Sequence, residues 1–397
     1  MDEQDSGPAN ALDGLGNDLD PYKAAPQDLK DLWKQWTKAK SPYEVPTLSL
    51  IPAGIQISED LLQREFTAFA LDHLYSLFAN DSQGLQGFLA SLHSSNPAAV
   101  LSLEDVNIPK SPNQKVCSKA EFMTIADAKL VPELTKAWRH SKCDHTPYEV
   151  VEIPGLVILP NLLPSLVQQT LLDLMLHREF SRPQNQTNFH LNYNLSYPED
   201  GESFFSIAPE SAFSPKTPAE HKPMSIQSAL EKNLHWITLG GQYDWTNKVY
   251  PPEKPPKFPD DLTKLIKNIF TDIKPEAAII NVYSAKDKLS MHRDVSEEAD
   301  RGLVSISLGC ACIFIIGIED KITGKLYHET LRLNSGDAIY MAGASRYAWH
   351  GVPKIIPDSC PDYLQYWPGK SYPAWEGWMN KKRVNLNIRQ MYEEKTS

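Results

Sequence analysis

Three residues could together hold a metal ion: His292, Asp294 and His350. His292 and Asp294 are two positions apart, which on a strand places both side chains on the same face. His350 is expected just after a further strand. Two histidines and one aspartate form the facial triad of non-haem Fe(II) sites, which leaves three coordination positions open. A catalytic zinc site can use the same ligands, and a solvated histidine beside a loop aspartate gives the same short pattern.

A segment near the C-terminus favours the iron interpretation. From Arg383 to Arg389 the odd-numbered positions are all polar and the even-numbered positions are all apolar. This alternation predicts a strand with one apolar face and a second face that carries two arginines and two asparagines. Two guanidinium groups in one row suit a ligand with two carboxylates, because bidentate pairing is strong and geometrically selective. A zinc site would not explain this strand.

Asn281-Val-Tyr283 repeats the alternation earlier in the chain. Its amide and its phenol would point the same way, and both groups can hydrogen-bond a carboxylate oxygen. We therefore add Asn281 and Tyr283 to the candidate ligand site.

Short strands with a period of two must position these side chains. Many short strands separated by turn residues predict a sandwich or a double-sheet barrel. Before them, Pro154–Pro160 predicts a buried strand and Leu163–Phe180 predicts a helix, whereas Ser181–Pro223 is rich in Asn, Ser and Pro and predicts a surface loop or lid. The predicted later strands are 278–283, 303–308, 311–317, 329–333, 338–341 and 383–390.

The first part of the chain differs in composition from the rest. Residues 1–20 contain six acidic residues and no lysine or arginine, so we expect residues 1–26 to form a disordered acidic tail. Apolar residues at helical spacing predict a mostly helical extension over residues 27–150. The core domain is then expected over residues 151–397, with a lid at 181–250.

Composition limits the partners and the compartment. The chain has 397 residues, of which 41% are hydrophobic, yet it has no apolar run long enough to cross a bilayer. The net charge of −11 argues against a nucleic-acid partner. The acidic excess falls in residues 1–230, however, so the C-terminal part can present a basic face. Five scattered cysteines and an acidic start predict a reducing compartment, the nucleus or the cytoplasm, with no secretory or mitochondrial signal.

In chain order these motifs resemble those of the AlkB family of Fe(II)/2-oxoglutarate dioxygenases, and most closely its AlkB homologue 1 subfamily. The resemblance extends from about Pro154 to Tyr392. It implies an α+β fold, in which a double-stranded β-helix (a jelly-roll, cupin-like core) carries a mostly helical N-terminal extension. The motifs that carry it are Asn281-x-Tyr283, His292-x-Asp294, His350 and Arg383-x-Asn385-x-x-x-Arg389.

The resemblance also implies the ligands and cofactors. Fe(II) would be held by the catalytic triad His292, Asp294 and His350, with O2 as the second substrate. The cosubstrate 2-oxoglutarate would place one carboxylate on Arg383, Tyr283 and Asn385. Its other carboxylate, nearer the metal, would lie on Arg389 and Asn281.

The implied activity is oxidative removal of an N-methyl group from adenine in DNA or RNA, as N6-methyladenine or 1-methyladenine, with release of formaldehyde, succinate and CO2. A monomeric enzyme would act on a flipped-out or unpaired base. The candidate substrate contacts are Tyr243, Trp245, Arg293, Ser296 and Arg346. Ser296 stands where bacterial AlkB carries a further aspartate, which weakens the case for cationic bases and leaves room for neutral N6-methyladenine.

Two alternatives remain open from the sequence. The first is a dioxygenase that hydroxylates or demethylates a protein or a small molecule, because fold and cofactor do not fix the substrate. The second is a nucleic-acid-binding scaffold without turnover.

Overall fold

Two antiparallel β-sheets form the centre of the protein in a computed structural model that describes residues 19–41, 43–55, 57–78, 119, 122, 146–199, 201–320 and 322–393. The strands are β1 (Leu50–Pro52), β2 (Tyr148–Val150), β3 (Leu156–Leu159), β4 (Tyr193–Asn194), β5 (Ala212–Pro215), β6 (Met224–Ser225), β7 (Trp236–Gly240), β8 (Ala277–Ser284), β9 (Leu289–His292), β10 (Leu303–Gly309), β11 (Cys312–Glu319), β12 (Leu326–Leu333), β13 (Ala338–Met341), β14 (Trp349–Ile355) and β15 (Lys382–Arg389).

The eight-stranded major sheet has the order β1-β2-β3-β13-β10-β15-β8-β7, and the four-stranded minor sheet has the order β12-β11-β14-β9. Buried side chains of both sheets, such as Leu308 in β10 and Ile316 in β11, belong to one hydrophobic core. The six predicted strands from β8 to β15 are present with ends within three residues of the prediction. The predicted two-sheet architecture is therefore confirmed.

The C-terminal strand β15 lies between β10 and β8, where it is buried on both faces. Its even-numbered residues Val384, Leu386 and Ile388 have no exposed surface. The register pairs Arg383 with Tyr283 and Asn385 with Asn281 across β8. The Asn281-x-Tyr283 motif and the start of the Arg383–Arg389 motif, which are about 100 residues apart in the chain, therefore lie side by side on neighbouring strands.

From β7 onward, three strands were not predicted from the sequence, because each is short or contains residues that weaken a strand pattern. β14 contains Gly351 and Pro353, which weaken a strand pattern. The sequence therefore predicted that His350 follows a strand, whereas the residue lies within β14. β9 has only four residues and β7 ends in a glycine pair. β9 and β14 are the strands on which the two candidate histidine ligands lie.

Four longer helices surround the sheets: α1 (Gln27–Lys38), α2 (Glu59–Phe78), α3 (Ser165–Leu172) and α4 (Asp260–Ile269). The predicted helix Leu163–Phe180 is present as α3 followed by a π-helical segment, Asp173–Glu179. α2 packs against α3 and α4 beside the major sheet. Among the described residues, no helix combines the length and the apolar character that a membrane crossing requires.

α1 covers part of the minor sheet. Leu29 is fully buried against Gly317 of β11, where an added Cβ would lie only 2.8 Å from a Leu29 methyl carbon. Trp33 fixes the helix by donating its indole N–H to the Leu289 carbonyl of β9 over 2.9 Å. The described part of the predicted extension also supplies β1, and β2 begins before position 151. The sheet therefore starts earlier than the predicted domain boundary, and most of residues 79–145 lie outside the described residues.

Two predictions about irregular segments were wrong. The segment Ser181–Pro223 is not an open surface loop: it forms β4 and β5, two strands of a small three-stranded sheet, and buries Phe189, Phe204, Phe205 and Phe213. The aromatic segment after β14 packs against the same region, since Trp375 donates its indole N–H to Phe205 O over 2.8 Å. These phenylalanines have no regular spacing, which is why no element was predicted.

The second correction concerns the acidic tail. Residues 19–26 of the predicted disordered tail are described, and they contact the core domain. Tyr22 donates its hydroxyl hydrogen to the Asn247 carbonyl over 3.1 Å, and Ala25 is buried. Residues 1–18 lie outside the described residues.

Candidate active site

The two candidate histidines lie side by side on adjacent strands of the minor sheet. His292 ends β9 and pairs in register with His350 of β14, and their ring centroids are 4.3 Å apart. In each ring Nδ1 faces a main-chain carbonyl, that of Ser290 at 2.9 Å and that of Ala348 at 3.1 Å. A carbonyl can only accept, so Nδ1 carries the hydrogen and Nε2 presents its lone pair. Both imidazoles are therefore oriented as metal ligands are.

Asp294 completes this cluster. Its Oδ1 lies 3.7 Å from His292 Nε2, and its Oδ2 lies 3.9 Å from His350 Nε2. One ligand atom from each of the three residues lies within 4.8 Å of the others. We expected Asp294 on the same strand as His292. β9 ends at His292, however, and the loop that follows places the Asp294 carboxylate next to the two imidazoles. Two nitrogens and one oxygen at these separations fit a single ion of the 2-His-1-carboxylate type.

The protonation states at this cluster suit a cation. Burial alone would raise the pKa of the Asp294 carboxyl, but Arg389, His350 and His292 outweigh it and hold that pKa well below its usual range. Burial, assisted by His292, lowers the pKa of His350 to about 4. At neutral pH these two groups are a carboxylate and a neutral imidazole, the forms that bind a metal ion.

Arg383 lies at the start of β15 with its side chain buried. Its Nη2 donates to Ser307 Oγ over 3.0 Å. Within the described residues, Nε and Nη1 have no hydrogen-bond partner. Buried polar groups are almost always paired, so two buried guanidinium nitrogens whose hydrogens lack an acceptor indicate a site for an anionic ligand. This observation fits one carboxylate of 2-oxoglutarate.

Arg389, six residues further along β15, lies at the metal cluster. Its Nη2 is 3.2 Å from Asp294 Oδ2, and its Nη1 donates to Glu297 Oε1 over 2.9 Å. In the described part of the chain its Nε lacks a partner, as does Oδ1 of Asn387. The Asn387 amide nitrogen is 3.4 Å from Asp294 Oδ2. The two arginines thus lie at opposite ends of one face of β15, and Arg389 lies at the end beside the metal ligands.

Tyr283 lies next to Arg383 on the neighbouring strand β8. The Arg383 guanidinium carbon lies 5.3 Å from the centre of the Tyr283 ring. Burial raises the pKa of Tyr283 to about 12, so its hydroxyl is a hydrogen donor at neutral pH. Asn281 is half-buried on β8, two positions from Tyr283 towards the end of the strand that pairs with Arg389.

Asn385 requires a correction. Its amide nitrogen donates both to Ser305 Oγ over 2.8 Å and to the Ile306 carbonyl over 2.9 Å. Both amide hydrogens are used between β15 and β10, so they are not available to a cosubstrate carboxylate. Asn385 therefore supports the sheet beneath the site, a role that the sequence could not distinguish from ligand binding.

Arg346 also requires a correction, since it was predicted to contact substrate. Its side chain is 2% exposed and donates to the carbonyls of Asp294 and Arg301 and to the Glu297 carboxylate. A residue enclosed in this way cannot reach a nucleic acid. Instead, it holds the chain on both sides of Glu297 and so fixes the loop that carries Asp294.

Glu297 is the main residue at the site that the sequence analysis missed. Its carboxylate is 1% exposed and lies between Arg346 Nη2 at 2.8 Å and Arg389 Nη1 at 2.9 Å. Burial would raise the pKa of Glu297, but these two arginines outweigh burial and lower it. Its position directly after Ser296 was visible in the sequence, but its partners are 49 and 92 residues away.

An aromatic corner lies beside the Asp294 loop. It consists of Trp236, Tyr243, Trp245 and Tyr250, with Tyr243 at 4.9 Å from Trp245 and 5.3 Å from Tyr250 between ring centroids. Trp245 is 38% exposed, so one indole surface is available to a base. Ser296 lies against this corner, with its Oγ 3.4 Å from the Tyr243 hydroxyl.

Arg293 stands between His292 and Asp294 in the chain. Its guanidinium lies 4.6 Å above the Trp349 ring, next to His350. The structure thus brings Tyr243, Trp245 and Ser296 together at the aromatic corner and Arg293 next to the metal cluster, and it removes Arg346 from the predicted substrate set. Their contact with substrate stays a prediction.

Comparison with known proteins agrees with this arrangement. The family profile of the 2OG-Fe(II) oxygenase superfamily matches residues 189–389, which include β7 to β15 and every candidate ligand. The chain belongs to this superfamily, whose members use Fe(II), 2-oxoglutarate and O2. Within the superfamily it is an AlkB-type protein that resembles AlkB homologue 1, as its motifs indicated.

Three relatives support that placement. The N6-methyladenosine RNA demethylase ALKB1 of Pyricularia oryzae is 50% identical over 61% of this chain and 75% of its own length. The tRNA demethylase abh1 of Schizosaccharomyces pombe is 41% identical over 60% and 79%. The DNA N(6)-methyladenine demethylase ALKBH1A of Arabidopsis thaliana is 29% identical over 64% and 80%.

Proposed function

We propose that this chain is an Fe(II)/2-oxoglutarate-dependent demethylase that removes the N6-methyl group of adenine in DNA or RNA. One observation carries the proposal. His292, Asp294 and His350 form a ligand set beside β15, on which Arg383 and Arg389 have buried donor atoms without an acceptor in the described structure. Names of the relatives, which include RNA, tRNA and DNA demethylases, support nucleic acid as the substrate class.

In the proposal each group of residues has one task. His292, Asp294 and His350 hold Fe(II). Arg383 and Tyr283 bind the remote carboxylate of 2-oxoglutarate, and Arg389 with Asn281 binds the carboxylate nearer the metal. When bound, iron with 2-oxoglutarate and O2 supplies the oxidation of the N-methyl group, which leaves as formaldehyde while 2-oxoglutarate becomes succinate and CO2.

The local charges favour a neutral base. A second carboxylate near the base would lie at position 296, but this chain has a serine there. The carboxylate of the neighbouring Glu297 is paired with Arg346 and Arg389. A cationic 1-methyladenine would therefore gain no nearby negative charge beyond Asp294, which serves the metal. N6-methyladenine is neutral, and it can be recognised by stacking on Trp245 and Tyr243.

The test measures formaldehyde and succinate from one set of reactions. Oligonucleotides that carry N6-methyladenine or 1-methyladenine, single-stranded, bulged or tRNA-like, are incubated with the protein, Fe(II), 2-oxoglutarate and ascorbate. We expect formaldehyde from the N6-methyladenine substrates in step with succinate. Inert oligonucleotides combined with rapid turnover of a peptide would contradict the demethylase proposal and favour a protein substrate.

Variants test the metal assignment in the same assay. His292→Ala and Asp294→Ala should abolish both products, because each removes a ligand. His328→Ala is the matched control, since His328 is exposed on β12 of the same sheet. Turnover that persists at the parent rate in His292→Ala would refute the assignment.

A further inference from the structure

Two cysteines from separate parts of the chain lie side by side. Cys310 lies in the turn between β10 and β11, and Cys360 lies in the loop that follows β14. Both are free thiols, with 2% and 6% of their surface exposed. The turn and the loop are joined next to the thiols, because the Ala311 N–H donates to Ser359 Oγ over 2.8 Å and the Ile356 N–H donates to the Ala311 carbonyl over 2.8 Å. Hydrogen bonds of the neighbouring residues therefore hold the two cysteines together.

The two thiols also contact each other. The Cys360 S–H donates a hydrogen bond to the Cys310 sulfur, and this bond is the largest cause that lowers the pKa of Cys310. The main-chain N–H groups of Ser359 and Cys360 face the same sulfur and lower its pKa further, against the effect of burial. Cys310 and burial in turn raise the pKa of Cys360. Cys310 is thus the thiol that ionises first, and the thiolate is the form that reacts with oxidants.

A small oxidant can reach this pair at the surface of the loop. Cys360 keeps some exposed surface, and the neighbouring Pro357 and Asp358 are exposed. With hydrogen peroxide, the Cys310 thiolate attacks one oxygen and the O–O bond breaks, which gives a sulfenic acid and one water once the thiol proton is counted. The Cys360 thiol then attacks the oxidised sulfur and releases a second water. In sum, two thiols and one peroxide give one disulfide and two waters.

Cys310 also contacts the chain at the start of β15. Its main-chain N–H donates to the Lys382 carbonyl over 2.8 Å, and its thiol donates to the Asn380 carbonyl over 3.4 Å. The preceding Gly309 pairs in register with Arg383, and an added Cβ on Gly309 would collide with the Lys382 carbonyl. The turn that carries Cys310 is therefore packed directly against the strand that carries Arg383.

A disulfide would change this contact. The sulfur of a disulfide has no hydrogen, so the Asn380 carbonyl would lose its donor. The two sulfurs must also approach more closely than in a hydrogen bond, which draws the Cys310 turn towards the loop after β14. Since Arg383 follows Asn380 by three residues and pairs with this turn, we expect its guanidinium to lose part of its alignment.

We infer that Cys310 and Cys360 form a reversible disulfide when the chain meets peroxide, and that this bond weakens the binding of 2-oxoglutarate through the start of β15. The regulatory part of the inference rests on the proposed function, because it requires Arg383 to bind the cosubstrate. The oxidation itself depends on the two cysteines alone. A dithiol reductant should reverse it by thiol–disulfide exchange.

The experiment treats the metal-free full-length chain with hydrogen peroxide, removes the peroxide and divides the sample. One part is alkylated and digested without reductant, and we expect mass spectrometry to find the peptides of Cys310 and Cys360 joined. The other part is loaded with Mn(II) in place of Fe(II), and its dissociation constant for 2-oxoglutarate is measured by calorimetry. We expect this constant to rise about fivefold, the effect of one weakened hydrogen bond, and to return to the untreated value after dithiothreitol.

Three variants isolate the pair. Cys310→Ser and Cys360→Ser keep the shape of the side chain but cannot form the bond, so peroxide should leave their dissociation constants unchanged. The double variant Cys117→Ser with Cys143→Ser removes the two cysteines outside the described residues, and it should respond as the parent chain does. Because the joined peptides are sought in the parent chain, that measurement does not depend on the folding of any variant.

The outcomes separate this inference from the proposed function. Absence of the joined peptides, or oxidation of Cys310 to the sulfonic acid alone, would overturn the inference. Joined peptides with an unchanged dissociation constant would overturn its regulatory part, as would an equal change in both serine variants. If the untreated chain binds no 2-oxoglutarate and releases no formaldehyde, the proposed function and the regulatory part both fail, whereas the joined peptides still decide whether the pair is oxidised.

Discussion

Arg389 Nη2 lies 3.2 Å from Asp294 Oδ2, so the last arginine of β15 is paired with the carboxylate between the two candidate histidine ligands. The same guanidinium donates to Glu297 over 2.9 Å. Asp294, Arg389, Glu297 and Arg346 are therefore parts of one buried charge network at the metal end of the site. A buried network of this kind fixes its members in position, but removal of one member leaves an uncompensated charge.

Glu297→Gln tests this network. The substitution keeps the shape of the side chain but removes the negative charge between two buried guanidinium groups. We expect the free energy of unfolding to fall by about 3 kcal/mol, measured by urea denaturation. The KM for 2-oxoglutarate should also rise, because Arg389 loses a partner that fixes its direction.

Glu298→Gln is the matched control, since Glu298 is the next residue and is exposed. It should change the free energy of unfolding by less than about 0.5 kcal/mol. Equal stability of the two variants would show that Glu297 does not hold the site together.

Arg383→Lys tests the other end of the candidate cosubstrate site. Lysine keeps the positive charge but cannot make the forked contact, and Arg383 already commits one nitrogen to Ser307. We expect 2-oxoglutarate to bind more weakly by about 2–4 kcal/mol, measured as the dissociation constant of the metal-loaded protein. Arg332→Lys, at an exposed position of β12, provides the control. Unchanged affinity in Arg383→Lys would remove Arg383 from the cosubstrate site.

The sequence alone placed Arg383 and Arg389 at the ligand site, because the alternation within one strand involves only residues close together in the chain. The alternation from Arg383 to Arg389 indicates which side chains share a face of the strand. Because the apolar face is buried in the core, the two arginines must lie on the opposite face. The same logic holds for Asn281 and Tyr283 on β8. It fails for Asn385, because the partners of its amide lie on β10 and no local pattern reveals them.

Residues fixed by distant partners were correspondingly hard to predict. An arginine commonly contacts phosphate at a protein surface. Arg346 is instead enclosed by three acceptors from the loop 294–301. Glu297 acquires its role from that arginine and from Arg389. The packed segment 181–223 depends on phenylalanines without periodic spacing, which meet the aromatic residues after β14 only in the folded chain.

Trp245→Ala tests the aromatic corner. Trp245 is 38% exposed and packs on Tyr243 and Trp236, so it offers one free face to a base. We expect the transition-state stabilisation for a methylated oligonucleotide to fall by about 1–3 kcal/mol, the range for one stacked base, mainly through a higher KM. The KM for 2-oxoglutarate should not change. Tyr366→Ala, which removes another exposed aromatic ring, is the control, and an equal loss there would argue against a specific stacking role.

His177 gives the fold a predictable response to acid. Its ring is stacked between Trp367 and Tyr372, at 4.9 and 4.4 Å between centroids, and its Nδ1 lies 2.9 Å from Ser203 Oγ. Burial lowers the pKa of His177 from 6.5 to about 4. The unfolded chain therefore takes up a proton at this position at a higher pH than the folded chain does.

The sign of the pH effect follows from that difference. Above about pH 7 the histidine is neutral in both states and contributes no pH dependence. As the pH falls from 6.5 towards 4, the unfolded state gains a proton that the folded state excludes, so the free energy of unfolding decreases. The loss approaches about 3 kcal/mol near pH 4, at about 1.4 kcal/mol for each unit of pKa difference.

Urea denaturation at several pH values measures this loss. His177→Phe keeps an aromatic ring in the stack but cannot take up a proton, so its free energy of unfolding should depend less steeply on pH between 6.5 and 4. His328→Phe, at an exposed position, should follow the parent chain. If all three chains lose stability with the same slope, the acid sensitivity arises elsewhere and His177 is not its source.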